Sequence, residues 1–234
     1  MITTAVVPAA GSGRRMGNRA KPLLDIGGIP IVIHTLKALL GSGKIDNALI
    51  VCREAEMSLY RRLLVKHGFG SVGITAGGAE RQSSVFNGLK QLRGATKRVL
   101  IHDAVRPFID NAMLDRVIEP LSRYAGVVAG VPLKDTVKEV AADGEILSTP
   151  PREYLWAVQT PQAFDFKTIY ESHELARQDN YSGTDDAVLL ERREIPVLMV
   201  QGSYENIKLT TAEDILLAEM LLKMRNADCK LQAT

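Results

Sequence analysis

The sequence predicts an α/β fold with a Rossmann-like, mostly parallel sheet, flanking helices and an inserted β-hairpin arm. Short apolar runs rich in Val, Ile and Leu alternate with stretches of helical periodicity, which is typical of a parallel sheet with crossover helices. The runs show little polar alternation, as expected for strands that are covered on both faces. One long segment between two of these runs, residues 133–160, has no helical pattern and predicts the arm.

Each element is predicted from its own local pattern. The apolar runs predict strands over residues 4–8, 48–52, 72–75, 98–102, 126–131 and 196–201. Helical periodicity predicts helices over residues 30–40, 54–67, 83–92, 111–124, 184–193 and 211–224. The last helix begins with TAED, in which Thr211 is a capping residue and the first turn is acidic. Ligands of such sheets bind outside the carboxyl ends of the strands, so we expect the site there.

The arm is predicted from a turn signal. Asp143-Gly144 lies between the strand-like stretches VKEV and EIL, and this pattern is typical of a hairpin. We therefore predict a single domain over residues 1–234, from which 133–160 protrudes. Such an arm could cap the domain's own site or reach a neighbouring subunit, and a plain surface excursion is the alternative.

The composition limits the class of protein. The 234 residues are 46% hydrophobic and 24% charged, and the net charge of +2 argues against wholesale nucleic-acid binding. Cys52 and Cys229 lie far apart without a CxxC spacing, which favours reduced thiols. The N-terminus lacks a signal-peptide pattern, and no run approaches the ~20 apolar residues of a membrane helix. We expect a cytoplasmic protein with no membrane or nucleic-acid partner.

The loop after the first strand concentrates positive charge. In VPAAGSGRRMGNRAKP (residues 7–22) the basic residues are Arg14, Arg15, Arg19 and Lys21. The glycines are Gly11, Gly13 and Gly17. Their spacing fits neither the dinucleotide fingerprint nor a Walker A loop, and by itself it indicates only a tight turn.

Glycines and cations together favour an anion site in this loop. Glycines allow successive backbone N–H groups to point at an anion. Arg15 can grip phosphate oxygens with a planar fork, and Lys21 supplies a compact charge. The pair would suit a triphosphate, whereas Arg14 and Arg19 are predicted to be solvated surface charges.

The loop, read as PAAGSGRRMG followed by Lys21-Pro22, resembles that of the cytidylyltransferases that act on 2-C-methyl-D-erythritol 4-phosphate in non-mevalonate isoprenoid synthesis. Further stretches resemble the same family, in order along nearly the whole chain: GGAERQSSVFNGL, LIHDAVRP, DT at 135–136, TPPR, LW, TPQ, TDD and NIK. The resemblance implies an enzyme that transfers CMP from CTP to methylerythritol phosphate. The products would be 4-diphosphocytidyl-2-C-methyl-D-erythritol and pyrophosphate.

The resemblance also implies a nucleotide site. CTP would be bound by Pro8, Ala9, Ala10, Gly11, Gly13, Gly77, Gly78, Arg81, Ser84 and Asp103. Ser84 resembles the serine that reads the cytosine edge, while a hydroxyl at a helix start is otherwise most often an N-cap. Asp103 resembles a carboxylate that binds Mg²⁺, or another divalent cation, or a substrate hydroxyl. A helix cap or an ion-pair partner is the alternative for Asp103.

In the family the arm interlocks two subunits, which implies a homodimer with shared active sites. The sugar phosphate would be bound by Asp103, Arg106, Thr136, Arg152, Thr160, Thr184 and Lys208. Of these, Thr136 and Arg152 would act across the dimer interface, whereas Trp156 is expected to pack. Two features depart from the family: the stretch between Met16 and Lys21 is a residue shorter than in some relatives, and Glu205 replaces an Asp.

The implied reaction is attack by the sugar phosphate on the α-phosphorus of CTP. A phosphate monoester loses its second proton near pH 6, so a general base is not required at pH 7. The histidines form no evident pair or triad, and His34 and His173 are predicted on helix surfaces. Arg15 and Lys21 are the implied catalytic residues, because negative charge builds at the α-phosphate.

Two other functions stay open. A cytidylyltransferase for ribitol 5-phosphate would share the nucleotide loop, although the arm, Thr184 and Lys208 favour methylerythritol phosphate. A non-catalytic nucleotide-binding module would be expected to have lost Arg15, Lys21 or Asp103, which are all present. The GGAERQSS segment disfavours a uridylyl- or adenylyltransferase, and the glycine spacing disfavours a nicotinamide-dependent oxidoreductase.

Overall fold

The structure is a computed structural model that describes residues 1–11, 20–94 and 96–231, with the backbone alone at residues 226 and 228–231. Its strands are β1 (Thr3–Pro8), β2 (Asp25–Ile26), β3 (Ile29–Pro30), β4 (Asn47–Cys52), β5 (Gly73–Ala76), β6 (Arg98–Ile101), β7 (Gly126–Pro132), β8 (Glu139–Val140), β9 (Ile146–Ser148), β10 (Trp156–Asp165) and β11 (Val197–Gln201). Its α-helices are α1 (Ile31–Leu40), α2 (Met57–Lys66), α3 (Arg81–Gln91), α4 (Asn111–Ile118), α5 (Phe166–Gln178), α6 (Val188–Glu191) and α7 (Ala212–Leu231).

Seven strands form the central sheet, in the order β11–β7–β10–β6–β1–β4–β5. Every neighbouring pair is parallel except those of β10, which runs antiparallel to β6 and β7. The predicted mostly parallel α/β fold is therefore confirmed. The chain builds outward from β1 through β4 to β5 and then returns to the other side of β1 with β6. The carboxyl ends of β1 and β6 thus flank a switch in strand order, where such sheets bind ligands.

The strand β10 differs from the sequence prediction, which assigns residues 156–160 to the arm. The chain leaves β7, passes through the β8–β9 hairpin and returns beside β7 without a crossover helix, so β10 runs antiparallel. Pro161 argues against a central strand in the sequence, but it lies at a register shift between Val158 and Gln162. The predicted hairpin itself is confirmed, with Gly144 at φ 94° in its turn.

The helices differ from the prediction in two places. Helix α5 was not predicted; it begins at Phe166, and its N-cap Asp165 has a carboxylate that accepts a hydrogen bond from the Thr168 backbone N–H at 2.9 Å. The predicted helix over 184–193 is wrong except for the short α6. Its start is delayed because the Asp185 carboxylate accepts from the Val188 backbone N–H at 3.1 Å.

The predicted start of the last helix is confirmed. The Asp214 carboxylate accepts from the backbone N–H groups of Thr210 and Thr211 at 2.7 and 2.8 Å, and this network fixes the segment that precedes α7. No helix in the described ranges is long and apolar enough to cross a membrane.

Two apolar layers hold the sheet between helices. In β1, Ala5 and Val7 belong to the layer that includes α1, α2 and α4, whereas Val6 belongs to the layer of α3 and α5. Helix α3 lies especially close to the sheet, since a Cβ on Gly88 would come within 2.9 Å of Val6 and Val51 side-chain atoms. The strand ends that carry the site are therefore part of a closely packed platform.

Candidate active site

A pocket of about 650 Å³ opens at the carboxyl edge of the central sheet. Its walls come from the segments that follow β1, β4 and β6, from the start of α3 and from the segment before α7. The lining residues are Pro8, Ala10, Gly11, Lys21, Pro22, Arg53, Gly78, Ala79, Glu80, Arg81, Ser84, Asp103, Val105, Lys208, Leu209 and Thr210. This is the edge at which the topology predicts a ligand, and the volume suits a small-molecule site.

The pocket brings together most residues predicted to bind the nucleotide. Two predicted residues, Ala9 and Gly77, do not line it and instead support its walls. The Ala9 N–H donates to the Val51 carbonyl at 2.7 Å, and the Gly77 N–H donates to the Cys52 carbonyl at 2.8 Å. The other predicted loop residues lie outside the described residues: Gly13, Arg14, Arg15, Met16, Gly17 and Arg19.

Asp103 is surrounded by cations at the base of the pocket. It follows β6, is only 6% exposed, and its carboxylate lies 2.8 Å from Lys208 Nζ, 3.3 Å from Arg81 Nε and 3.8 Å from Arg106 Nε. Burial acts to raise the pKa of Asp103, but the charges of Arg81, Lys208 and Arg106 outweigh it and hold that pKa well below its usual range. The carboxylate is therefore ionised at any physiological pH.

Two further predicted residues position this carboxylate without lining the pocket. Thr160 is buried, and its hydroxyl accepts a hydrogen bond from the Asp103 backbone N–H at 3.0 Å. Arg106 Nη1 donates to the Asn206 carbonyl at 2.7 Å, which ties the segment after β6 to the one that carries Lys208. Asn206 is itself fully buried and donates to the Thr160 carbonyl at 2.8 Å.

Arg81 joins two buried carboxylates from the first turn of α3. Its Nε faces Asp103, and its Nη1 lies 2.7 Å from Asp186 Oδ2. Desolvation acts to lower the pKa of Arg81, but the neighbouring Asp186 and Asp103 carboxylates raise it above its ordinary value. The backbone that carries Arg81 is fixed at the start of α3, where Glu80 and Ser83 form a capping box.

The histidine predictions need correction. His173 is 1% exposed instead of lying on a helix surface, because α3 and α5 pack together and its ring stacks on Phe86 with centroids 5.9 Å apart. Its Nε2 lies 3.2 Å from Asp186 Oδ1. His34 is half-buried, and its Nε2 is hydrogen-bonded to the Ile26 carbonyl at 3.0 Å.

Ser84 presents its hydroxyl from inside α3 and is not an N-cap, since Glu80 occupies that position. Its Oγ accepts from the Gly78 N–H at 3.0 Å and donates to the Glu80 carbonyl at 2.8 Å. A Cβ on Gly77 would lie 2.8 Å from both Ala10 Cβ and Ser84 Oγ. Glycine is therefore needed at residue 77 so that the segment before α3 can lie against the loop after β1.

Lys21 and Arg53 add positive charge to the pocket. Lys21 Nζ donates to the Thr210 carbonyl at 2.8 Å, which links the loop after β1 to the segment before α7. Arg53 was not predicted; it forms an ion pair with Glu56 directly after β4. Its signal was available in the sequence, since a basic residue that ends an apolar run faces the carboxyl edge of the sheet.

Three predicted residues lie away from this pocket. Thr136 and Arg152 are exposed in the arm, where an Arg152 guanidinium N–H donates to the Lys134 carbonyl, and Thr184 is exposed before α6. Glu205, the departure from the family pattern, is also outside the pocket lining and pairs with Arg225 of α7 at 2.9 Å. Its extra length is therefore accommodated on the surface.

The titratable side chains of the pocket are not arranged as a metal cage. Among residues 1–11, 20–94 and 96–231, no group of three or more His, Cys, Asp or Glu side chains could hold a metal ion. Asp103 is the one predicted metal ligand, and its near neighbours are cations.

Comparisons with known proteins agree with this architecture. The model of the family described as 2-C-methyl-D-erythritol 4-phosphate cytidylyltransferase (IspD) matches residues 3–224. A relative of that name from Geotalea uraniireducens is 46% identical over 97% of this chain and 100% of its own length. Another from Syntrophus aciditrophicus is 47% identical over 94% of this chain and 95% of its own.

The fold agrees with a solved structure as well. The crystal structure of 4-diphosphocytidyl-2C-methyl-D-erythritol synthase from Anaerococcus prevotii matches with a TM-score of 0.85 at 34% identity, covering 95% of this chain and 98% of that one. The similarity in sequence and fold extends over nearly the full length of this chain and of the proteins compared with it. The matched region includes every segment of the pocket. This chain therefore belongs to the 2-C-methyl-D-erythritol 4-phosphate cytidylyltransferase family.

Proposed function

We infer that this protein transfers CMP from CTP to 2-C-methyl-D-erythritol 4-phosphate, giving 4-diphosphocytidyl-2-C-methyl-D-erythritol and pyrophosphate. The observation that carries this function is the pocket at the carboxyl edge of the sheet. There the residues of the family's nucleotide and substrate segments meet around the ionised carboxylate of Asp103 and several cations. Such a surface suits a reaction between two phosphate-bearing substrates, in which both ligands are anions.

CTP fits the half of the pocket that β1, β4 and α3 build. The Gly78 segment and the Ser84 hydroxyl would bind the cytosine, and Gly11 with Lys21 would bind the triphosphate. Arg15 would join Lys21 as the second catalytic cation, as its position in the loop sequence indicates. The Ser84 hydroxyl already donates to the Glu80 carbonyl, so its remaining lone pair would accept from the amino group of the base.

Methylerythritol phosphate would enter beside Asp103 and Lys208. Lys208 has a side chain that is 43% exposed at the pocket wall, so its ammonium can bind the acceptor phosphate. Thr184 would hydrogen-bond the polyol, whereas Thr160 and Arg106 would act mainly by fixing Asp103 and the Lys208 segment.

The arm would complete the site of a second subunit in a homodimer. Thr136 and Arg152 lie on the arm and do not line the pocket of their own subunit. The arm also exposes apolar side chains, with Val140 at 51%, Leu147 at 59% and Tyr154 at 77% of full exposure. Apolar surface of this kind is typical of a face that a partner covers.

Asp103 is the residue that would hold Mg²⁺, or another divalent cation. Its carboxylate is ionised and lines the pocket, and a triphosphate-bound Mg²⁺ needs only one or two protein carboxylates. When bound, the cation would neutralise charge on the triphosphate oxygens.

The cytoplasmic location stays a prediction from the sequence.

The chain's own residues would then act by position and charge. The acceptor phosphate is already largely dianionic at pH 7, so no histidine need take a proton from it. Lys208 would orient this nucleophile, while Lys21 and Arg15 would stabilise the charge that develops at the α-phosphorus. Arg81 and Asp103 would form the bottom of the pocket, against which both ligands bind.

Pyrophosphate release tests the function. Purified protein with CTP and Mg²⁺ is given methylerythritol phosphate or ribitol 5-phosphate in parallel reactions, with Lys21→Ala as the control for contaminating activity. Release with methylerythritol phosphate alone is expected. Release with ribitol 5-phosphate alone would overturn the acceptor, and CTP binding without release from either would overturn the catalytic function.

A further inference from the structure

We propose that Asp186, with His173 next to it, is a positioning pair that fixes the guanidinium of Arg81 for nucleotide binding. Neither residue lines the pocket, and both are 1% exposed. The proposal rests on the proposed function only in taking CTP as the ligand of Arg81.

Both oxygens of the Asp186 carboxylate have a partner. Oδ2 lies 2.7 Å from Arg81 Nη1, and Oδ1 lies 3.2 Å from His173 Nε2. Burial acts to raise the pKa of Asp186, but Arg81 and His173 outweigh it, so the pKa is lowered and the carboxylate stays ionised. Because an ionised carboxylate only accepts hydrogen bonds, His173 donates from Nε2.

Two carboxylates thereby define the plane of the Arg81 side chain. Asp103 faces Nε and Asp186 faces Nη1, which lie on different edges of the guanidinium, so the group is held from two sides. A long arginine side chain would otherwise sample many rotamers, and fixing it in advance lowers the entropy lost when a ligand binds. The remaining nitrogen, Nη2, makes no hydrogen bond to the described residues, and the side chain is 31% exposed.

The pair is itself held by three elements that pack together. Asp186 precedes α6, and its backbone N–H donates to Gln162 Oε1 of β10 at 3.2 Å. His173 lies on α5, and its ring stacks on Phe86 of α3 at an interplanar angle of 3°. Arg81 begins that same α3, so the helix that carries the guanidinium also packs against His173.

A buried carboxylate of this kind has no evident role in packing. It requires compensation by hydrogen bonds and opposite charge, and apolar residues of similar volume often stabilise a core equally well or better. In this chain the compensation comes from Arg81, a residue of the pocket. The arrangement is therefore explained by what it does to Arg81.

A double-mutant cycle tests the proposal. CTP affinity is measured by isothermal titration calorimetry for wild type, Asp186→Asn, Arg81→Ala and the double variant, together with kcat and KM for each substrate. We expect Asp186→Asn to weaken CTP binding about tenfold in the wild-type background, the scale on which supporting hydrogen-bond partners act at binding sites. In the Arg81→Ala background we expect Asp186→Asn to weaken CTP binding by less than about twofold, because a positioning residue acts only through its target.

A matched control needs a carboxylate outside this network. Asp185 does not qualify, because it contacts Gln162, which also holds Asp186. Asp179→Asn is therefore the control. Asp179 is an exposed carboxylate at the end of α5 that pairs with Arg192 at 2.9 Å and does not contact Arg81, Asp186 or Gln162, so CTP affinity should be unchanged. His173→Phe keeps an aromatic ring against Phe86 but removes the donor. It should weaken CTP binding about threefold, again only when Arg81 is present. If Asp186→Asn does not fold, His173→Phe takes its place in the double-mutant cycle.

Unchanged CTP affinity in folded Asp186→Asn would overturn the proposal, as would an equal loss in both backgrounds. Failure of the enzymatic assignment is read separately: wild type that binds CTP but releases no pyrophosphate contradicts the proposed function, while the affinity cycle still decides the role of Asp186.

Discussion

The charged residues of the pocket hold one another in place. Asp103 accepts from Lys208 at 2.8 Å, and Arg81 spans the gap from Asp103 to Asp186. A ligand phosphate that approaches Lys208 therefore competes with a carboxylate that is already present. The contact with Asp103 keeps the Lys208 ammonium ordered before the substrate arrives, and preorganised charge contributes to catalysis in this way.

Lys21 is the described residue on which the rate should depend most. Lys21→Ala should lower kcat by about 10²-fold or more, the scale for losing one preorganised donor at a reacting centre. Steady-state pyrophosphate release measures this, and Arg15→Ala is expected to behave alike. Arg14→Ala is the matched control within the same loop, since Arg14 is predicted to be solvated. A loss confined to KM would contradict the catalytic role.

His102 should make stability depend on pH. It is fully buried with Nε2 hydrogen-bonded to the Arg106 carbonyl at 2.9 Å, and desolvation lowers its pKa to about 4. The unfolded chain takes up this proton near pH 6.5, so acidification between about 6.5 and 4 favours unfolding. The loss from this one group should reach about 2–3 kcal/mol near pH 4.5.

Urea unfolding at about pH 7 and 4.5 measures this effect. The wild type should lose stability between the two, and His102→Gln should lose about 2 kcal/mol less, because glutamine does not titrate. Equal losses in wild type and variant would contradict the assignment. The lowered pKa values of Asp103 and Asp186 do not interfere, because their contribution is lost only as pH falls below about 4.

Single residues of the site were predictable where they adjoin an apolar run. Asp103 follows the apolar run of β6 closely, so the sequence places it at the carboxyl edge, whereas Lys208 lies well beyond the end of β11 and was named only through the family resemblance; both line the pocket. His173 was misplaced because helical periodicity does not reveal which helix covers a given face. Asp186 was quoted only as part of a motif, since its contact with Arg81 is between residues far apart in the chain.

Among the elements, α3 connects the pocket to the core most tightly. Gly88 on its buried face leaves no room for a Cβ, because Val6 and Val51 atoms lie 2.9 Å from that position. Gly88→Ala should therefore destabilise the protein by about 1–3 kcal/mol, although alanine is the better helix former. Denaturant unfolding measures this, with the exposed Gln91→Ala as control. A more stable Gly88→Ala variant would contradict the packing argument.

The arm should act on the acceptor and not on the nucleotide. Arg152→Ala is expected to raise KM for methylerythritol phosphate about tenfold or more, as for loss of a charged contact to phosphate, while CTP affinity stays nearly unchanged. Steady-state kinetics with calorimetric CTP titration separates the two. A loss of CTP affinity equal to the loss for the sugar phosphate would contradict this division.

The elements were predicted well where the period is clear. The six predicted strands all occur in the central sheet, with ends that differ by a residue or so. β10 was not predicted because its polar Gln159 and Gln162 and its Pro161 break the apolar pattern. In the structure a register shift between β10 and β7 accommodates this stretch. The antiparallel direction of β10 follows from the arm, which replaces a crossover helix.

For the whole molecule, the central question is whether one subunit holds a complete site. The pocket contains the predicted nucleotide residues that the structure describes, apart from Ala9 and Gly77 in its walls, whereas Thr136 and Arg152 lie on the arm and do not line it. Mixing Lys21→Ala subunits with Arg152→Ala subunits should restore activity, because one hybrid site would combine an intact pocket with an intact arm. Full activity of a monomer would contradict the shared site.

Transfer of the α-phosphorus is the claim on which the whole account depends. CTP labelled at the α-phosphorus is incubated with methylerythritol phosphate and Mg²⁺, and the products are separated. Attack at that phosphorus predicts that all transferred label is found in the cytidylylated acceptor and that the pyrophosphate is unlabelled. Label in free CMP alone, or transfer of label from the γ-position instead, would contradict the reaction that the pocket is inferred to perform.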